Sequence, residues 1–342
     1  MAIKVLIVDD SAVFREAIAR GIGMDPDIQV IATAADPYEA RDKILEYDPD
    51  VVTCDIEMPK MSGIEFVKRL IPQYPVPVIV VSSISDKVFD AMNAGAVEFV
   101  SKPSAKSPQD VQKFIKDLVM AIKAASKASV HVEDKSNQAK KHAVVAKEIK
   151  DFDLIAIGAS TGGTEAIYEL LKQLPDQSAT LLPGIVIVQH IPPVFSRMFA
   201  ERLDKQTDFQ VKEATNGDVV LPGHIYVAPG DKHVQVKRSE KGLYLRVFEG
   251  EKVNGHCPSV DVMFHSVAEC LGNRVVGVIL TGMGYDGAKG IAAMRRKGAI
   301  TVGQDEKTCV VYGMPKVAYE LNGITKQCGL DIMGSIIMQY LK

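Results

Sequence analysis

Short apolar runs and amphipathic helical stretches alternate along this chain, and that alternation leaves few folds open. In the first third the strand-like runs are Val5–Val8, Val30–Thr33, Val51–Cys54, Val78–Val81 and Val97–Val100. Helical stretches near 12–22, 37–47, 63–71, 87–94 and 110–124 separate and follow them. Strands this apolar are buried on both faces, as in a parallel sheet. Strand and helix in repetition then give a doubly wound α/β architecture. The local signals agree. Asp36-Pro37-Tyr38-Glu39 is a helix start with Asp at the N-cap, Pro at the first position and Glu at the third. Val111, Phe114, Ile115, Leu118 and Ile122 share one face of the last helix.

Ligands of such sheets bind beyond the carboxyl ends of the strands. The first third gathers polar residues there. Asp9 and Asp10 end the first run, Asp55 the third, Ser82 and Ser83 the fourth, and Lys102-Pro103 follows the fifth. Three carboxylates at one edge repel one another unless a cation joins them, and an all-oxygen ligand set suits Mg²⁺. Any one of these acids reads equally well as a helix cap. All of these features at one edge do not.

A second series of runs begins at Leu154–Ile157. It leads into Gly158-Ala159-Ser160-Thr161-Gly162-Gly163, after which Ile167, Leu170, Leu171 and Leu174 mark one helix face up to Pro175. A serine on a glycine-lined turn between a buried strand and a helix has the G-x-S-x-G spacing of a nucleophile elbow. The same turn fits a phosphate cradle, or a tight turn without chemistry. Two further runs bear on the choice. Gly184–Gln189 leads into His190, and Val275–Leu280 leads into Thr281-Gly282-Met283-Gly284-Tyr285-Asp286-Gly287. Ser160, His190 and Asp286 would meet at one sheet edge as nucleophile, base and orienting carboxylate. The backbone N–H groups of Thr161 and Met283 are the candidate oxyanion donors. Taken singly, His190 reads as a surface histidine and Asp286 as the N-cap of a helix over 287–297. The order Ser, His, Asp differs from that of the α/β-hydrolases, so the elbow belongs to another fold.

Elsewhere, Tyr226–Val236 reads as a β-hairpin appended to the sheet, with its loop at Pro229–Lys232 and Leu243–Val247 as a third strand. His224, His233 and His265 have no metal-ligand spacing. Residues 123–150 hold no Gly, Pro or aromatic residue and are rich in Lys, Ala and Ser. They read as a solvated tether, part of which extends the preceding helix. The expected division is 1–122, a linker over 123–150, and 151–342.

Composition narrows the function classes. A formal net charge of −3 argues against a dedicated nucleic-acid binder. No apolar run reaches the roughly 18 residues of a membrane span. Met1 runs directly into a strand-like segment, so no leader is expected. Five cysteines without C-x-x-C spacing suit reduced thiols in a cytoplasm.

With Asp9-Asp10, Asp55, Ser82 and Lys102-Pro103 in place, residues 1–122 resemble the receiver domain of two-component response regulators. The resemblance implies a flavodoxin-like fold with Asp55 as phosphoacceptor. It implies Mg²⁺ held by Asp10, Asp55 and the Glu57 carbonyl, and by Asp9 through water. Ser82 and Lys102 would sense the phosphoryl group, and a chemotaxis histidine kinase would donate it. Residues 151–342 resemble the catalytic domain of the chemotaxis protein-glutamate methylesterases, the CheB family, through Gly158–Gly163, Gln189-His190, Tyr226–Gly230, His256–Phe264 and Thr281–Gly287. That resemblance implies a Rossmann-like domain that hydrolyses glutamyl methyl esters and deamidates glutamines on chemoreceptors, with no cofactor for the ester chemistry. Cys257 stands where the family pattern has Arg, and Tyr285 where it often has Asn. The expectation is a cytoplasmic monomer without nucleic-acid or membrane partners, gated by its first domain. Two other readings remain at this level: a second domain that binds a nucleotide or anion at Gly158–Gly163, and a DNA-binding output domain. The near-neutral second domain, without a basic recognition helix, supports the last poorly.

Overall fold

A computed structural model describes residues 2–83, 87–103, 107–128, 152–175, 182–240 and 242–341. The chain divides into two compact units, Met1–Asp134 and Lys135–Lys342.

The first unit alternates strand and helix throughout: β1 (Ile3–Val8), α1 (Ala12–Ile22), β2 (Ile28–Ala34), α2 (Pro37–Tyr47), β3 (Val51–Asp55), α3 (Gly63–Leu70), β4 (Val78–Ser82), α4 (Lys87–Asn93), β5 (Glu98–Ser101) and α5 (Pro108–Ala125). The strands pair in the order β2-β1-β3-β4-β5, every pair parallel. β3 and β4 are buried along their whole length, as runs without polar alternation require. The start of α2 is capped as its sequence demands. Asp36 accepts from the Tyr38 and Glu39 N–H groups, and Glu39 reaches back to the Ala35 N–H. The strand order reverses direction between β1 and β3, which puts Asp9 and Asp55 on either side of the crevice that opens there.

The second unit follows the same logic with seven parallel strands. Its elements are β6 (Leu154–Ala159), α6 (Gly163–Gln173), β7 (Gly184–Gln189), α7 (Pro193–Gln206), β8 (Gln210–Glu213), β9 (His224–Val227), β10 (His233–Ser239), β11 (Gly242–Phe248), α8 (Val260–Leu271), β12 (Val275–Ile279), α9 (Ala288–Arg296), β13 (Ile300–Gln304), α10 (Met314–Glu320), β14 (Lys326–Cys328) and α11 (Leu330–Leu341). The sheet order is β14-β13-β12-β6-β7-β9-β8. β6 is therefore central, with β7 on one side and β12 on the other, and the chain changes winding direction beside it. The core under α8 joins Leu154, Ala156 and Val186 of the sheet to Val260, Met263, Phe264 and Val267 of the helix. Gly158 permits that packing: a Cβ there would lie 2.2 Å from Val260 Cγ1.

One strand assignment from the sequence is corrected. Tyr226 and Val236 do not belong to one hairpin. β9 enters the large sheet, parallel to β7 and β8, and the hairpin is formed by β10 and β11 as a separate antiparallel pair. The chain turns out of the sheet at Gly230, where a Cβ would come within 2.3 Å of the Pro193 nitrogen. The tether expected over 123–150 begins inside α5, which runs to Ala125; residues 129–150 lie outside the described residues. No helix among the described residues is long and apolar enough to cross a membrane.

Candidate active site

Backbone register brings the three residues of the second unit together. β6 pairs with β7 through Ala159 and Gln189, so Ser160 and His190 are the next residues at adjoining strand ends. The His190 N–H donates to the Ala159 carbonyl at 3.3 Å. On the other flank β12 pairs with β6, and the Ser160 N–H donates to the Thr281 carbonyl at 3.0 Å. The elbow itself depends on its glycines. Gly162 is left-handed at φ 75°, and Gly163 donates to the Ser160 carbonyl at 2.7 Å as α6 begins. A Cβ on Gly163 would meet Gln189 Oε1 at 2.1 Å, because the Gln189 amide reaches under the turn and donates to the Ser160 carbonyl at 2.8 Å. The Thr281 hydroxyl donates to the Thr161 carbonyl at 3.0 Å and holds the far side of the turn.

His190 Nε2 lies 2.9 Å from Asp286 Oδ2. An ionised Asp286 only accepts, so Nε2 carries the proton, and in the neutral ring Nδ1 holds the lone pair. Nδ1 is buried and has no hydrogen-bond partner among the described residues, so the Ser160–His190 bond is not made here. Catalytic hydrogen bonds of this kind commonly close only when substrate binds.

Asp286 is not the N-cap of α9; that position belongs to Gly287. Its carboxylate instead lies at the amino end of α8. It accepts from the Val260 N–H at 2.6 Å, the Asp261 N–H at 3.3 Å, the Ser259 hydroxyl at 2.8 Å and Asn254 Nδ2 at 2.8 Å. Burial works against the charge, but the His190 contact, Asn254 and Ser259 outweigh it and hold the carboxyl well below the usual carboxylate range. The helix terminus favours the same anion. Asp261 returns the favour in the opposite direction. From the first turn of α8 it accepts from the Gly290 N–H of α9 at 2.6 Å, while Asn254 Nδ2 bridges to it at 2.7 Å. Burial raises Asp261, with Asp286 adding to the rise and the Gly290 and Asn254 bonds opposing it.

Three residues of this network carried no role in the sequence reading: Asn254, His256 and His233. Each precedes or touches the Ser259 cap, so the polar cluster just ahead of an apolar helix was the available signal. His233 is buried. Its Nδ1 accepts from the Ser259 N–H at 3.2 Å, which makes Nε2 the donor to the Glu251 carbonyl at 2.9 Å. His256 stacks on His190 with ring centroids 3.8 Å apart.

The loop 282–284 lies against the serine. A Cβ on Gly282 would sit 2.7 Å from Ser160 Cβ. Among the described residues neither the Thr161 nor the Met283 N–H makes a backbone hydrogen bond. Tyr285, the residue where the family pattern often has Asn, is half exposed, and Cys257 is partly buried.

In the first unit, oxygen atoms of Asp9, Asp10 and Asp55 lie within 4.8 Å of one another. Lys102 Nζ bonds Asp55 Oδ2 at 2.7 Å and Asp9 Oδ2 at 2.8 Å. Asp9 Oδ1 accepts from the Ser11 N–H at 2.9 Å. Asp9 thus has both oxygens engaged, while Asp10 is exposed. Burial pushes Asp55 up, with the Lys102 bond opposing; Lys102 is raised despite its burial because both carboxylates hold its proton. The buried Ser82 hydroxyl turns to the Ser83 carbonyl at 2.8 Å, and the Lys102 N–H bonds the Ser82 carbonyl at 2.8 Å.

Comparison with known proteins agrees with both halves of this picture. Residues 155–337 match the family described as CheB methylesterase, and residues 5–116 match the response regulator receiver domain. The chain is 51% identical over 340 residues to the protein-glutamate methylesterase/protein-glutamine glutaminase 2 of Syntrophomonas wolfei, covering 99% of this chain and 98% of that one. It is 44% identical over 333 residues to the protein-glutamate methylesterase/protein-glutamine glutaminase of Salmonella typhimurium, covering 96% and 94%. Among solved structures it resembles the Thermotoga maritima CheB methylesterase catalytic domain, with a TM-score of 0.53 and 34% identity over 55% of this chain and 98% of that one. A receiver domain followed by a seven-stranded esterase domain, matched end to end by such relatives, makes this chain a member of the CheB methylesterase family.

Proposed function

We propose that the chain hydrolyses glutamate γ-methyl esters on cytoplasmic segments of chemoreceptors and deamidates selected receptor glutamines. Ser160, His190 and Asp286 carry the reaction, and phosphorylation of Asp55 switches it on. The observation that carries the reading is the His190–Asp286 hydrogen bond beside the Ser160 elbow. The division into a receiver over 1–122, a linker over 123–150 and a catalytic domain over 151–342 belongs to the same reading.

In the first step the Ser160 oxygen attacks the ester carbonyl and passes its proton to His190 Nδ1. Asp286 keeps Nε2 protonated and steadies the imidazolium that results. The carbonyl oxygen becomes an oxyanion facing the Thr161 and Met283 N–H groups, which among the described residues have no backbone acceptor to give up. Collapse breaks the bond to the methoxy oxygen, which leaves as methanol with the proton from Nδ1. Water then attacks the glutamyl–Ser160 ester by the same route and releases glutamate. A glutamine substrate differs only in its leaving group, ammonia. No cofactor enters these steps.

In the first unit an all-oxygen cluster of three carboxylates fits a hard divalent cation such as Mg²⁺. Asp10, Asp55 and the Glu57 carbonyl would hold it. Asp9, with both oxygens already bonded, would reach it through water. When bound, the cation offsets the charge on an entering phosphoryl group. Lys102 does the same from the protein side, and the Ser82 hydroxyl, at the end of the neighbouring β4, answers it. The phosphodonor is a chemotaxis histidine kinase.

A serine-directed fluorophosphonate tests the catalytic assignment. The wild-type protein is expected to be labelled at Ser160, and the His190→Ala variant only at background. Labelling elsewhere, or equal labelling of both proteins, contradicts it.

A further inference from the structure

The imidazole of His256 lies flat on that of His190, with centroids 3.8 Å apart and ring planes 6° apart. No step above uses His256. The hydrogen bond to Asp286 fixes one atom of the His190 ring, Nε2, and leaves the ring free to pivot about the N–H···O axis. Nδ1 lies on the far side of that pivot, so its aim needs a second constraint on the ring plane. A flat partner at stacking distance supplies one. We propose that His256 is a positioning residue, whose ring face holds the His190 imidazole in the plane where Nε2 meets Asp286 and Nδ1 is left without a partner among the described residues, open to take the Ser160 proton. This rests on His190 being the base.

The placement of His256 in the chain supports the role. The same short segment supplies Asn254, Ser259 and the Val260 N–H to Asp286. The two partners of the His190–Asp286 pair are thus gripped by one stretch, itself anchored through the Ser259 N–H to buried His233. Charge also fits. A stacked histidine helps only if it stays neutral while His190 carries the transferred proton. Burial first, then His190 itself, pushes His256 down to about 4, with Asp286 opposing and Lys252 adding a little. A neutral His256 ring brings no second positive charge against the imidazolium that forms during the reaction.

The test compares His256→Phe, which keeps a flat face, with His256→Leu, which keeps bulk without one, in the full chain. Hydrolysis of a methylated receptor gives kcat and KM, and thermal melting checks the fold. His256→Leu is expected to lose roughly 10- to 100-fold in kcat, the cost of a misplaced catalytic group, with KM within about twofold. His256→Phe is expected to keep most of kcat and the acid limb of its pH profile. Wild-type kcat in His256→Leu overturns the proposal. So does a His256→Phe protein as slow as His256→Leu, since the ring nitrogens would then matter. Loss of the acid limb in His256→Phe would make His256 the base and overturn it too. An active wild type beside an unimpaired His256→Leu sinks the stack alone; an inactive wild type sinks the base assignment and the stack with it.

Discussion

His190 Nε2 donates to Asp286 Oδ2 at 2.9 Å, so the nitrogen of His190 with a free lone pair is Nδ1. The ring is tethered through its far nitrogen and open at its near one. Nitrogen-15 NMR of His190 at neutral or mildly alkaline pH is expected to show the Nε2–H tautomer. An Nδ1–H tautomer would reverse the direction of proton transfer drawn here.

Asp286 links activity to the stability of the α8–α9 junction. Its carboxyl is held well below an unfolded aspartate, near 3.9. A depressed carboxyl stabilises the fold above the unfolded value and loses that contribution as pH falls through the folded one. Asp286→Asn should therefore cost about 1–3 kcal/mol at pH 7, since buried donors lose their acceptor. The gap to wild type should stay constant down to about pH 5 and narrow below about pH 4. Urea midpoints of both proteins across that range check this, and a gap that widens on acidification contradicts it.

Gly282→Ala probes how closely the 282–284 loop covers the nucleophile. The added methyl would sit 2.4 Å from Met314 Sδ and 2.7 Å from Ser160 Cβ. Met314 has room to shift only by disturbing a buried position, so overpacking should cost about 1–3 kcal/mol. Displacing Ser160 should lower kcat by roughly 100-fold. A variant with wild-type melting and turnover would show that the loop stands off from the serine.

Much of this was legible beforehand, for a physical reason. In a parallel sheet every functional side chain sits one or two residues past an apolar run, so Ser160, His190, Asp9 and Asp55 could be placed from local sequence alone. The destination of Asp286 could not. Its partners Asn254, Ser259 and Val260 lie 26 to 32 residues away, beyond α8 and β12, and nothing local distinguishes a cap for α9 from an anion at the end of α8. The stack of His256 on His190 is likewise long-range. Tyr226–Val236 reads as a hairpin because two apolar runs flank turn-forming residues at Pro229–Lys232, the local signature of an antiparallel pair. What breaks it is tertiary: the Gly230 N–H bonds the Ser196 hydroxyl at 3.0 Å and the backbone packs on Pro192 and Pro193.

Asp55→Asn separates the phosphoacceptor role from the fold of the first unit. Asparagine has the same shape and removes a carboxylate that burial disfavours, so stability should be equal or slightly higher. The variant should show no response to a small phosphodonor. Unaltered activation would place the phosphoacceptor elsewhere.

Methanol release from a methylated chemoreceptor tests the central claim most directly. The full-length wild type should release methanol, and faster with a small phosphodonor present. Ser160→Ala should release it at background, a loss of several orders of magnitude with melting unchanged. No release by the wild type, or comparable release by Ser160→Ala, would contradict the account.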